Sequence, residues 1–188
     1  MSKVDEKPMF VRGQVHAVLR GPAQHVRAHM RNGRMIAAHD RAGKIKAECT
    51  IHNLVTAVGD QYYAARGAGI GSPPAAITGF RLGAGSTAPA KTGAGAALVT
   101  YLSGSNQAND GGFPTAVSGV ATYKVTYAAG TATTASPITE VVLVNDTIAT
   151  NATTAAANTM SRALLAGIGS KGALDTLTVT WTHTLLGA

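Results

Sequence analysis

The chain has 188 residues and a formal net charge of +7, with 13% charged and 5% aromatic residues but 22 glycines. That length accommodates one domain with a core plus an appendage, and the aliphatic content excludes a disordered chain. A single cysteine, Cys49, excludes an intrachain disulfide framework, and no run of apolar residues is long enough to span a membrane as a helix.

Residues 1–8 (MSKVDEKP) are polar and lack the apolar region of a signal peptide, so synthesis and retention in a cytosolic setting are expected. Residues 9–51 read as several short basic strands. Gly13 interrupts the stretch 10–19, Gly21-Pro22 marks a turn, and Asn32-Gly33 is the strongest hairpin signal, since both residues tolerate positive φ. Residues 34–39 form the return strand, and 44–51 follow a further turn at 40–43. The segment is expected as a small β-meander or as an extended arm that pairs with another chain.

Residues 51–66 (IHNLVTAVGDQYYAAR) are expected as the amphipathic helix of the chain. Asn53 is the predicted N-cap, and Leu54, Val58 and Tyr62 recur at four-residue spacing with Ala65 beside them. Gly59 within it costs about 1 kcal/mol relative to alanine. The helix carries no recognisable chemistry and is expected to cover the core.

The body that follows is rich in Gly, Ala and Thr. Strands are predicted at 77–82, 97–102, 121–127, 138–144, 161–168 and 174–186, with a polar, exposed loop at 103–114. Residues 138–144 alternate little, so both faces are expected to be covered. In the last strand Leu177, Val179, Trp181, His183 and Leu185 share one face and four threonines the other, which places Trp181 in the core. These elements predict a mainly β fold, an antiparallel β-sandwich of jelly-roll type with one short helix. Residues 1–51 are the basic arm or meander and 52–188 the body.

Charge follows that division. Residues 1–66 hold 11 of the 16 Lys and Arg and 5 of the 9 Asp and Glu, a balance of +6, and residues 67–188 hold the other 5 and 4, a balance of +1. A basic segment on a nearly neutral body predicts docking on an acidic surface, protein or nucleic acid; a solvated basic face is the plainer alternative. Low charge elsewhere implies a surface largely covered by partners. The candidate docking residues are Arg12, Arg20, Arg27, Arg31, Arg34, Arg41, Lys44 and Lys46. Arginine suits bidentate contacts to carboxylate or phosphate. Phe10 is the only aromatic residue before Tyr62, so a base-stacking platform is missing and nucleic acid is the less favoured partner.

Signals for an enzyme are weak, and neither a cofactor nor a metal is expected. The glycine-rich stretches 67–71 and 83–85 lack the strand–glycine–helix setting of a dinucleotide fingerprint, and 167–172 (GIGSKG) lacks the Lys-Ser/Thr ending of a phosphate loop. His25 and His29 would lie ~13 Å apart on a strand, too far for one metal. Asp110, Glu140, Asp146 and Asp175 are the only acids after residue 66, too few for a carboxylate dyad or a magnesium site. Cys49 reads as a small buried hydrophobe rather than a nucleophile.

The HNLVT start of the helix, the segment ITGFRLGAGSTAPAKTGAGAALVTY at 77–101 and MSRALLAGIGSKGALDTLTVTWTHTLL at 160–186 together resemble small virion structural proteins of tailed bacteriophages. That resemblance implies a capsid cement or decoration protein. It would be made in the host cytoplasm and carried on the capsid surface, as a homotrimer that ties neighbouring major capsid subunits together. A tail fibre, knob or adaptor is the alternative of the same origin, and a nucleic-acid-binding module is a second alternative.

Overall fold

The structure, a computed structural model, describes residues 11–185 except 27, 28, 33, 37, 38 and 70. In chain order its strands are β1 (Arg12–Arg20), β2 (Gln24–Val26), β3 (His29–Arg31), β4 (Arg34–Ile36), β5 (His39–Arg41) and β6 (Ile45–Val55). Helix α1 (Ala57–Ala68) follows. Then come β7 (Gly79–Gly83), β8 (Gln107–Ala108), β9 (Thr115–Val117), β10 (Val120–Tyr127), β11 (Glu140–Val144), β12 (Thr159–Leu164) and β13 (Thr176–Thr184). No described helix is long and apolar enough to cross a membrane.

Nine strands form one antiparallel sheet in the order β8-β7-β11-β12-β6-β1-β13-β10-β9, curled into a half-barrel. Alternation gives the sheet one apolar face to wrap around the core. On β1, β13 and β10 every second residue is buried and, His183 apart, apolar or glycine, and the register sets these residues side by side: Val15 with Trp181 and Tyr123, Ala17 with Val179 and Val125, Leu19 with Leu177 and Tyr127. Phe80 on β7 reaches Trp181 across the interior, with ring centroids 5.7 Å apart. Asp110, just beyond β8, draws the two ends of the sheet together. Its backbone N–H donates to Lys124 O at 2.8 Å, and its carboxylate accepts from Thr126 N at 2.9 Å and Thr126 Oγ1 at 2.7 Å.

The mainly β, antiparallel architecture with one helix is as expected. This strand order does not establish a two-sheet jelly-roll sandwich. β1 and β6 lie beside each other in the middle of the sheet, and Trp181 is fully buried.

Three local expectations are corrected. Residues 51–55 continue β6 instead of opening the helix, because pairing of 51–53 with β1 and of 54–55 with β12 outweighs helical spacing. The N-cap is therefore Thr56, whose Oγ1 accepts from Gly59 N at 3.2 Å. Gly59, costly by propensity, lets α1 approach the sheet: a Cβ there would lie 2.1 Å from Met160 O. Residues 97–102 contribute only one bridge, Tyr101 to Gly83, since the Val99 and Thr100 amides donate to the Glu140 carboxylate rather than to a strand. The loop 103–114 is not wholly exposed. It contains β8, and the buried Ser105 Oγ both accepts from Leu82 N at 3.0 Å and donates to Leu82 O at 3.1 Å.

Candidate functional site

Between β1 and β6 the chain leaves the main sheet. β2 pairs with β5 and β3 with β4, in two ladders separate from the nine-stranded sheet and in the same register. Arg31 and Arg34 are paired on either side of the turn, where Asn32 takes φ 52°, as the Asn-Gly dipeptide requires. The root of this hairpin is tight. Gly21 N donates to Lys44 O at 2.9 Å, and Arg20 Nη1 lies 3.4 Å from Gly43 O. A Cβ on Gly43 would sit 1.8 Å from Gly21 O, so glycine is required where the two legs cross.

The predicted docking residues divide accordingly. Arg20, Lys44 and Lys46 meet at the hairpin root. Arg31 and Arg34 flank its turn, and Arg41 lies on β5. Arg27 lies outside the described residues. Arg12 is exposed at the other end of β1, ~26 Å away along the strand. Lys46 is engaged within the chain: its Nζ donates to Asp175 Oδ2 at 2.7 Å, and this bond holds the Asp175 carboxyl below its ordinary pKa.

A second cluster lies inside the sheet beneath α1, and reading Asn53 as a helix cap hid it. Asn53, Gly13 and His183 occupy one row across β6, β1 and β13. Gly13 has no side chain, so the Asn53 amide passes over β1. Its Nδ2 lies 3.1 Å from His183 Nε2 and also donates to Ser161 Oγ. The Trp181 indole N–H can only donate, so at 3.0 Å it fixes His183 Nε2 as an acceptor and leaves the ring proton on Nδ1. That proton is donated to Tyr63 Oη at 2.5 Å, and the Tyr63 hydroxyl in turn donates to Tyr123 Oη at 3.2 Å. Burial lowers the His183 pKa to about 3 and raises those of Tyr63 and Tyr123. The network is therefore uncharged at neutral pH and acts as a pin between α1 and the sheet. The inward phase of His183 on β13 was the sequence signal for it. In front of Tyr63 lies a cleft of about 720 Å³, lined also by Val11, Asp60, Ala64, Lys91 and Leu185, with Lys91 Nζ and Asp60 Oδ2 paired at 2.6 Å on its exposed side.

The four acids of the body are all engaged in structural bonds. Glu140 pairs with Arg162, Asp146 with Arg81, Asp175 with Lys46, and Asp110 binds β10. Lys171, in the GIGSKG loop, is buried and donates to Ala128 O and Thr131 O, each at 2.8 Å, so its ammonium serves the loop after β10. Cys49 is half-buried, and burial raises its thiol pKa, opposite to an activated nucleophile. Among the described residues no group of three His, Cys, Asp or Glu side chains is placed to hold a metal ion. No protein-family model matches the chain, and neither a curated protein nor a solved structure is detectably similar to it.

Proposed function

We propose that this chain is a capsid cement or decoration protein of a tailed bacteriophage, which binds the outer capsid and ties neighbouring major capsid subunits together. The observation that carries the reading is the basic hairpin 24–41, which forms ladders of its own while its root is locked to the sheet by Gly21 and Gly43. A body with a basic ribbon on ladders of its own can hold one subunit and reach the next. The resemblance of residues 51–66, 77–101 and 160–186 to phage virion proteins supplies the virus. In a homotrimer three such arms act together, so weak individual contacts give tight retention through effective concentration.

Copy number tests the role. Hundreds of copies in isolated heads, approaching the major capsid protein in abundance, are expected by quantitative gel analysis of purified particles. A few copies confined to tails would overturn the cement role in favour of a tail part. Alanine replacement of Arg12, Arg20, Arg27, Arg31 and Arg34 should weaken head binding, most strongly at low salt. Unchanged occupancy would remove the hairpin from the mechanism.

A further inference from the structure

The outward residues of β6, β1, β13 and β10 form an open sheet face that the sequence marks only as a run of threonines. Its rows follow from the register: Thr122, Thr182, Gln14 and His52 in one, Thr126, Thr178, Val18 and Glu48 in another. Gln14, Thr50 and His52 are exposed and the threonines of β13 and β10 half-exposed, while at one end of the face Val18 is buried and Asp110 bonds Thr126. Charges stand at the margins. Arg12 and Arg20 mark the two ends of β1, Lys124 lies on β10 and Lys46 on β6. The acids at this face are each engaged within the chain: Glu48 Oε1 by His16 Nε2 at 2.7 Å, Asp175 Oδ2 by Lys46 Nζ at 2.7 Å, and Asp110 Oδ2 by Thr126 Oγ1 at 2.7 Å with Lys124 Nζ 3.9 Å away.

This is the anatomy of a docking face, with a charge-free centre and a polar rim. Threonine suits it, because a β-branched side chain in a strand has little rotamer freedom left to lose on binding. Lys46 and Lys124 answer Asp175 and Asp110 of the chain itself, so the selecting charges are Arg12 and Arg20 at the two ends of β1, which favour an acidic occupant over a second copy of the same face. Size points the same way. Strands of about eight residues at ~3.3 Å rise, four abreast at ~4.8 Å, offer roughly 500 Å². A standard interface takes about 800 Å² from each partner, so the face falls short alone and the hairpin can supply the remainder. The two are continuous, since the hairpin springs from the Arg20 end of β1 and returns at the start of β6.

We propose that this threonine face is the seat on which the body rests against the same acidic protein surface that the hairpin grips. The inference rests on the reading of the chain as a shell-binding protein. The test uses the full chain and heads purified from virus lacking this protein, with binding read by co-sedimentation and chain mass by light scattering. Thr180→Glu with Thr182→Glu is expected to weaken binding about tenfold or more, because it sets like charge against the acidic surface. Thr180→Lys with Thr182→Lys is expected to bind at least as well as the natural chain, so the contrast in sign separates docking from folding damage.

Equal loss in both variants would overturn the acidic seat. Full binding by the Glu variant, alongside failure of Arg31→Glu with Arg34→Glu, would overturn the seat while leaving the capsid reading standing. Failure of the natural chain to bind heads would remove that reading and the seat together. A fall in chain mass confined to the Glu variant, with head binding intact, would assign the face to a second copy and overturn the proposal. Capture of duplex DNA with the same dependence on these four threonine substitutions would overturn it in favour of nucleic acid.

Discussion

The two halves of the curled sheet share one core and finish their outer faces in opposite ways. On β7, β11 and β12 the outer face carries Arg81, Glu140 and Arg162, buried under residues 84–102 and 145–158. On β6, β1, β13 and β10 it carries the threonines of β13 and β10 beside Gln14, His16, Glu48 and His52, and most of these are exposed or half-exposed. The covering segments explain the charges. They are glycine, alanine and threonine for the most part, with few large apolar groups beyond Leu98, Tyr101 and Ile148 to hold them down. Hydrogen bonds do it instead. Glu140 accepts from the amides of Gly85, Val99 and Thr100, Arg162 donates to Thr87 O and Gly95 O, and Arg81 donates to Thr147 O and Thr150 O. Buried charge here fastens irregular chain to a sheet. The charges left for partners lie on the other half and on the hairpin.

The largest expected effect breaks the covered half. Glu140 and Arg162 are both fully buried and meet at 2.7 Å. Glu140→Gln keeps the shape but leaves the guanidinium without its counter-charge, at an expected cost of about 3–5 kcal/mol by urea unfolding. A cost under ~1 kcal/mol would mean that the carbonyls of Thr87 and Gly95 suffice for Arg162 and that the pair is not what holds the cover.

Acid should act next, on the pin between α1 and the sheet. His183 binds its proton less readily when folded, at about 3 against 6.5 for the free side chain. Between those values the unfolded chain holds more protons, so stability is whole above pH 6.5 and falls as pH drops through the window. The slope is at most about 1.4 kcal/mol per pH unit. Asp175, whose carboxyl is depressed by Lys46, adds a loss that begins only near its ordinary carboxylate range. His183→Asn should therefore flatten the profile between pH 6.5 and 5 in chemical unfolding, and an unchanged slope there would place the acid sensitivity elsewhere.

How much of this was legible depended on whether a residue's role was local. The alternation of 121–127 and, within 174–186, of Thr176–Thr184 was visible and correct, as were the two-sided burial of Glu140–Val144 and the positive φ at Asn32, because period and turn chemistry are short-range signals. Asn53 was misread since a cap and a cross-strand amide look alike until Gly13 and His183 are known to flank it. The pairings of Glu140 with Arg162 and Asp146 with Arg81 join residues far apart in the chain, and spacing carries no trace of them. The basic residues were read as one series. The fold splits them into a hairpin turn, a hairpin root and a distant end of β1, a separation that depends on where β1 and β6 enter the sheet.

The smallest expected effect is on the open half, and it sharpens the contrast most directly through one residue type in two settings. Thr56 is buried, and its hydroxyl accepts from Gly59 N while donating to Thr159 O at 2.5 Å. Thr56→Val should cost about 1–3 kcal/mol, because it strands a buried donor and acceptor. Thr180 points outward from the middle of β13 and is half-exposed, so its hydroxyl is within reach of solvent. Thr180→Val keeps the β-branch and should stay within about 0.5 kcal/mol of the natural chain in urea unfolding. Equal costs would mean that Thr180 is buried by some other part of the chain, and the open face would then be a covered one.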